Sequence, residues 1–141
     1  MSSSRRPTPV SAVGRSLAAG AVGTASMDLY WCVRYRASGG TSGPLQWEFG
    51  GEPDWEKVSA HWGYGVGWGV AFGIIAGSVP QRRVACGLAL GPAVWLVGYA
   101  VLPLGGYYKP IWEYDARTLG TDPGGHLIYG GATAAAYRAL P

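Results

Sequence analysis

The stretch His61-Trp62-Gly63-Tyr64-Gly65-Val66-Gly67-Trp68-Gly69 decides the fold, because it lies in a run without charged residues that extends from Val58 to Gln81. A bilayer-spanning helix needs about 20 consecutive and mostly apolar residues. A second uncharged run, Val84–Tyr108, also meets that requirement. Two such runs in 141 residues are difficult to bury in one small soluble core. The sequence therefore predicts an integral membrane protein, with a soluble globule as the alternative.

The composition excludes several functional classes. Charged residues make up 13% of the chain, roughly half of the share in an ordinary soluble domain. The net charge is +3, but the basic residues are scattered, so no nucleic-acid partner is predicted. Cys32 and Cys86 form no C-x-x-C pair, and they are interpreted as small packing residues. No phosphate loop or nucleophile elbow is visible, so no cofactor is predicted.

An all-α integral membrane bundle of four helices is predicted, as a single domain over residues 13–141 that follows a mobile basic tail at residues 1–12. The tight turn Pro80-Gln81-Arg82-Arg83 makes the second and third helices antiparallel neighbours. The strong turn signal Asp122-Pro123-Gly124-Gly125 places the start of the last helix at His126. The expected helices cover about residues 13–33, 60–79, 84–102 and 126–140.

Four glycines recur every four residues along the second predicted helix, at Gly65, Gly69, Gly73 and Gly77. They form a flat strip that lets another backbone approach closely. In lipid, apolar burial does not drive helices together, so close packing along such strips supplies much of the attraction. The strip predicts either self-association or packing within the chain.

An internal repeat is predicted from matches that share an offset of 65 residues. A duplicated helical hairpin explains this single offset, and two tandem hairpins would then lie parallel, related by an axis along the membrane normal. The matched pairs include Trp47 with Trp112, Glu48 with Glu113, His61 with His126, Tyr64 with Tyr129 and Gly65 with Gly130.

The distribution of lysine and arginine predicts the orientation. Residues 1–15, the turn at residues 80–83 and residues 138–141 together hold six of these residues in 23 positions, whereas the two long loops hold five in 48. Cytoplasmic segments of membrane proteins carry the excess of positive charge. Both termini are therefore predicted to be cytoplasmic, and both long loops to lie outside.

A candidate polar site is predicted near the outer end of the bundle. Carboxylates and imidazoles in one place would suit a divalent metal or a proton relay, although the spacing matches no compact metal motif. The favoured interpretation is structural, with each histidine at a helix start and each Trp-Glu pair anchoring a loop at the interface. The candidate residues are Asp28, Glu48, His61, Glu113 and His126.

Several segments carry a resemblance to a known group of proteins: Ala19–Asp28, Gln46–Phe49, His61–Gly65, Tyr108–Asp115 and His126–Gly130. They resemble those of small actinobacterial integral membrane proteins and, more distantly, YagU-type inner-membrane proteins. The resemblance implies a multi-pass protein of the bacterial inner membrane and transfers no catalytic role. After Trp55-Glu56 this chain lacks a segment that those proteins carry.

The function predicted from these patterns is a non-enzymatic membrane bundle that self-associates or joins a larger membrane complex. The lipid bilayer is its expected partner. The acid Asp28 within an apolar run also supports a small transporter or ion-conducting protein, which would need to act as a dimer to enclose a pathway. A metal-dependent membrane enzyme is a weaker alternative.

Overall fold

The computed structural model describes residues 9–40, 52–78 and 83–140, and within these ranges it contains four α-helices and no β-strand. The predicted all-α architecture is confirmed for this part of the chain. Two 3₁₀ turns, Leu102–Gly105 and Ile111–Glu113, connect the third helix to the fourth. The helices are α1 (Pro9–Ala37), α2 (Trp55–Ser78), α3 (Arg83–Val101) and α4 (Ala116–Ala139).

Helix α1 begins earlier than its sequence pattern indicates. Residues 9–12, expected in a mobile tail, form its first turn. The rest of that expected tail, residues 1–8, lies outside the described residues. With 29 residues, α1 is roughly 44 Å long at 1.5 Å per residue.

Helix α4 begins at Ala116, ten residues before the predicted start at His126. Asp115 caps it, because its carboxylate accepts a hydrogen bond from the Thr118 N–H at 2.8 Å and so satisfies one of the first free backbone donors. The expected turn at residues 122–125 is therefore wrong, since these residues lie inside the helix. With 24 residues instead of 15, α4 extends roughly 36 Å.

The glycines of the expected turn serve helix packing instead. A Cβ on Gly125 would lie 2.5 Å from the Trp31 indole nitrogen, and one on Gly124 would lie 3.0 Å from the Tyr30 hydroxyl. Pro123 removes one backbone donor from the helix interior, but the contacts between α1 and α4 hold the segment helical. Tertiary packing thus overrides the local turn signal.

Helix α1 occupies the centre of the bundle, where it packs along both α2 and α4, while α3 packs mainly on α4. The two helices of each predicted hairpin, α1 with α2 and α3 with α4, are therefore in contact. A strict twofold axis would make the α1–α4 and α2–α3 interfaces equivalent, yet α2 and α3 touch far less than α1 and α4. The repeat arrangement stays a prediction.

The glycine strip of α2 packs against α1 within the chain. A Cβ on Gly69 would lie 2.5 Å from the Gly20 Cα and 2.6 Å from the Ser16 carbonyl oxygen. Gly65 lies against the Thr24 side chain in the same way. Gly73 lies against Ser16, whereas Gly77 approaches the Tyr137 hydroxyl. Because α1 occupies most of the strip, the strip no longer supports an argument for self-association.

The interior of the bundle contains polar as well as apolar side chains, and its outer surface exposes many large apolar ones. Buried polar side chains lie between the helices, while large apolar side chains of every helix face outward. The buried polar residues are Ser16, Thr24, Asp28, His61, Asp122, His126 and Thr133. The outward apolar residues include Val13, Leu17, Val22, Leu29, Val33, Ile74, Ile75, Leu88, Leu96, Val97, Leu127 and Ile128.

One segment among the described residues, Ala85–Gly105, is both long and apolar enough to cross a membrane, with a mean hydropathy of 1.8. Core helices of soluble proteins can meet the same criterion. Multi-pass insertion therefore stays a prediction.

Candidate functional site

The first half of the site joins α1 to α2 through Asp28 and His61. The Nε2 atom of His61 lies 2.8 Å from Oδ1 of Asp28, and the two side chains are only 8% and 12% exposed. Each residue is one helical turn from the close contact of Thr24 with Gly65. The absence of a side chain at Gly65 thus brings the helices close enough for the imidazole to reach the carboxylate.

The second half of the site lies within α4. The Nδ1 atom of His126 is 3.1 Å from the backbone oxygen of Asp122 and 3.6 Å from its Oδ1 atom. The carboxylate of Asp122 is 1% exposed. Its Oδ2 atom accepts hydrogen bonds from the Trp95 indole at 3.0 Å and from the Tyr99 hydroxyl at 2.7 Å. Helix α3 therefore supplies two neutral donors to a buried carboxyl group and satisfies its Oδ2 atom.

A small cavity, here named the His61–His126 cavity, lies between the two halves. Its volume is about 20 Å³, which accommodates roughly one water molecule. Both imidazoles line it, so the two Asp–His pairs face one space. The other lining residues are Thr24, Met27, Tyr64, Gly65, Val94, Trp95, Gly98, Leu102, Tyr108 and Tyr129.

Aromatic residues of the segment between α3 and α4 cover this end of the bundle. The Tyr99 ring makes edge contacts with Tyr108 and Tyr114, at centroid distances of 5.6 and 5.3 Å. Burial raises the pKa of the Tyr108 phenol, and the negative charges of Asp122 and Asp28 raise it further. Tyr108 therefore contributes a neutral hydroxyl to the cavity at neutral pH.

All four ionisable groups lie in the half of the bundle that contains the end of α1, the start of α2 and the start of α4. Asp28 is nine residues before the end of α1, and His61 is six residues after the start of α2. Asp122 and His126 lie six and ten residues after the start of α4. At 1.5 Å per residue, the site is roughly 9–15 Å from these helix ends.

The structure brings together three of the five predicted site residues, namely Asp28, His61 and His126. Glu113 is exposed on the turn Ile111–Glu113 and does not line the cavity. Glu48, with its neighbour Trp47, lies outside the described residues. The histidines are buried inside the bundle, so the favoured interpretation, in which they sit at helix starts at the interface, is wrong.

The sequence prediction missed Asp122, which is more deeply buried than Asp28. The spacing of Asp122 and His126 by four residues is a signal that could have found it, because such residues share one helix face. The turn signal at Asp122-Pro123 concealed this relation. Trp95 and Tyr99 share the spacing and turn the same face of α3 toward Asp122.

A metal centre finds no support in the described ranges, where no group of three or more His, Cys, Asp or Glu side chains is placed to hold a metal ion. Cys32 and Cys86 are free thiols and belong to neither half of the site. Comparisons of the chain with protein-family models, with curated proteins and with solved structures found no match.

Proposed function

We propose that this chain is a multi-pass integral membrane protein, a non-enzymatic helix bundle that acts within the bilayer. The observation that carries the proposal is the set of large apolar side chains that face outward on all four helices, around buried ionisable groups. Leu29, Ile74, Leu88 and Leu127, one on each helix, face outward, while two carboxylates and two imidazoles lie inside. Contiguous exposed apolar surface is unfavourable in water and suits the hydrocarbon region of a membrane.

Helix lengths support the same proposal. Helices α1, α2 and α4 have 29, 24 and 24 residues, or roughly 36–44 Å at 1.5 Å per residue. The hydrocarbon core is about 30 Å thick. Among the described residues, only α3 lies in a segment whose mean hydropathy is high enough for a membrane-crossing helix. The other helices carry polar and small residues that face inward.

The proposed role is to join a larger membrane complex, or a second copy of the chain, through the outward apolar faces. The glycine strip of α2 is occupied by α1, so an association would use other surfaces. The bacterial inner membrane, with both termini in the cytoplasm, is the proposed location, because the positive charges favour that orientation.

Extraction and labelling test insertion. Alkaline carbonate should leave the protein in the membrane pellet, and detergent should release it. In a Cys32→Ser, Cys86→Ser background, Lys109→Cys should react with a membrane-impermeant thiol reagent in intact cells, while Ser3→Cys should react only after lysis. Release by carbonate would exclude insertion, and labelling of position 3 in intact cells would overturn the orientation.

A second candidate function is ion conduction, and the buried Asp28–His61 pair favours it. Ionisable residues inside membrane helices are costly and commonly mark ion pathways or proton relays. In a bundle whose outer surface faces lipid, the pair would need a functional reason to be retained.

A further inference from the structure

We propose that a groove at the end of α3 binds one acyl chain of a zwitterionic phospholipid, so that the protein retains a lipid from the surrounding bilayer. This inference rests on the proposed membrane insertion and adds a specific ligand to it. It follows from the way the groove is built, from its place in the candidate membrane span, and from the charges beside it.

The groove, here named the α3 groove, forms where the chain turns back after α3. Its volume is about 580 Å³, within the range of roughly 300–1,000 Å³ that ligand pockets cover. The first wall is the end of α3, where Leu96 and Ala100 lie four residues apart on one helix face. The second wall is the turn Ile111–Glu113, which contributes Ile111 and Trp112. Two walls can surround an acyl chain, whereas a flat helix face contacts it from one side.

Aromatic contacts hold the second wall against α3. The Tyr99 ring packs edge-on against Tyr108 and Tyr114, at centroid distances of 5.6 and 5.3 Å. The Lys109 N–H donates a hydrogen bond to the Tyr114 hydroxyl at 3.2 Å. These contacts lie on both sides of residues 110–112, so the second wall is fixed at both of its ends. The α3 groove is therefore formed by the fold of the chain itself.

The lining of the α3 groove suits an apolar ligand. Its side chains are aliphatic, proline or aromatic. Pro103 and Pro110 have no backbone N–H to offer, and the Tyr99 hydroxyl already donates to the buried Asp122 at 2.7 Å. A polar ligand would lose hydrogen bonds to water in such a lining, at a cost in free energy. An acyl chain has no polar atom to leave unpaired there.

The α3 groove continues the surface that the candidate span presents to lipid. Among the described residues, Ala85–Gly105 is the segment long and apolar enough to cross a membrane, and it includes Leu96, Ala100 and Leu104 of the lining. Leu104 and Trp112 are 86% and 81% exposed. With this segment inserted, the groove opens to the hydrocarbon along α3, and Trp112 lies near the headgroups, where tryptophan is enriched. A bilayer lipid is therefore the occupant that the position of the groove favours.

The charges beside the groove match a headgroup that carries both signs. Lys109 precedes the second wall and Glu113 ends it, and both residues are exposed. A phosphate can pair with the ammonium group of Lys109, and the cationic end of the headgroup can pair with the carboxylate of Glu113. Asp115 and Arg117, which follow in the chain, are also of opposite sign. An anionic headgroup therefore gains no net attraction, because its attraction to one charge is offset by repulsion from the other.

Photolabelling in vesicles tests the proposal. The native chain is reconstituted in phosphatidylcholine vesicles that contain a trace of phosphatidylcholine with a diazirine on one acyl chain. After illumination, the labelled residues are mapped by mass spectrometry. Labels should concentrate on residues 96–104 and 110–112, in excess over Leu88, which faces outward on α3 away from the groove.

Two variants of α3 supply the matched comparison. Ala100→Phe places a large side chain inside the groove from an exposed position, so the excess of label should be lost. Val97→Phe adds the same side chain at a neighbouring position that is 37% exposed and does not line the groove, so the excess should remain. Equal labelling of the groove in the two variants would overturn the lipid site.

Mass spectrometry of the intact complex provides a second readout that needs no variant. The native chain, released from mild detergent micelles, should carry one bound phospholipid, and an equal amount of phosphatidylglycerol should not displace phosphatidylcholine from it. A chain without bound lipid, a preference for phosphatidylglycerol, even labelling of all outward faces, or crosslinking of the groove to a second copy of the chain would each contradict the proposal. Carbonate extraction tests membrane insertion separately, so a protein that stays in the pellet without an excess of label in the groove contradicts the lipid site alone.

Discussion

Replacing Gly69 with alanine tests the α1–α2 contact that positions the first Asp–His pair. The added Cβ would lie 2.5 Å from the Gly20 Cα and 2.6 Å from the Ser16 carbonyl oxygen. Ordinary contacts of a Cβ are 3.4–4 Å, so α1 would have to move away by about 1 Å. Both contacted atoms belong to the backbone of α1, so no side-chain rotation can relieve the clash.

The matched variant Gly67→Ala isolates the steric effect. A Cβ on Gly67 meets no heavy atom of the described residues within 4 Å, so this variant should register the gain in helix propensity, up to about 1 kcal/mol. Both positions lie inside α2, so that gain cancels in the comparison. We expect Gly69→Ala to have a free energy of unfolding about 1–3 kcal/mol lower than Gly67→Ala, the usual cost of overpacking.

Unfolding in mixed micelles, with increasing sodium dodecyl sulfate and tryptophan fluorescence as the signal, measures this difference. The same samples can be labelled with ¹⁵N-histidine, because displacement of α1 should also disturb the Asp28–His61 hydrogen bond. If the two variants unfold at the same detergent composition, the close approach of Gly69 to α1 is refuted.

Three further predictions concern α3 and α4. Tyr99→Phe removes the 2.7 Å hydrogen bond to Asp122 and should lower the free energy of unfolding by about 1.5–3 kcal/mol, measured by the same titration. A backbone hydrogen bond at the start of α4 lowers the pKa of Asp115 below its ordinary 3.8. The stabilisation by this cap is therefore present above pH 3.8 and is lost as the pH falls through the lowered pKa. The difference in melting temperature between the native chain and Asp115→Ala should narrow in acid, and an unchanged difference would refute the cap. Amide hydrogen exchange should be slow from Gly120 onward, whereas fast exchange up to residue 125 would support the later helix start.

The helices were predictable where the relevant signal is local in the sequence. The uncharged run from Val84 predicts a helix at about residues 84–102, and α3 covers Arg83–Val101. Charge depletion and glycine spacing are properties of one segment, so the sequence displays them directly. The start of α4 was not predictable in this way, because Pro123 and its neighbours follow tertiary contacts with α1 that no local pattern records.

The site was predictable in its residue types and less so in its pairing. Acids and histidines in apolar runs identify Asp28, His61 and His126 as candidates. One partner of His61, Asp28, is 33 residues away in the sequence, and only the geometry of the packed helices identifies it. Asp122 was missed for a related reason, since its role depends on the helix continuing through Pro123.

Oxygen and nickel accessibility of spin labels tests the central claim, that the outward faces of all four helices contact lipid. Single cysteines are introduced at Leu29, Ile74, Leu88 and Leu127 in the Cys32→Ser, Cys86→Ser background, labelled, and reconstituted in bilayers. Collisions with oxygen, which concentrates in lipid, should exceed collisions with a water-soluble nickel chelate at all four positions. A label at Lys109, on the exposed segment between α3 and α4, should show the opposite ratio. Preferential nickel contact at the positions on α1, α2 and α4 would contradict the membrane bundle.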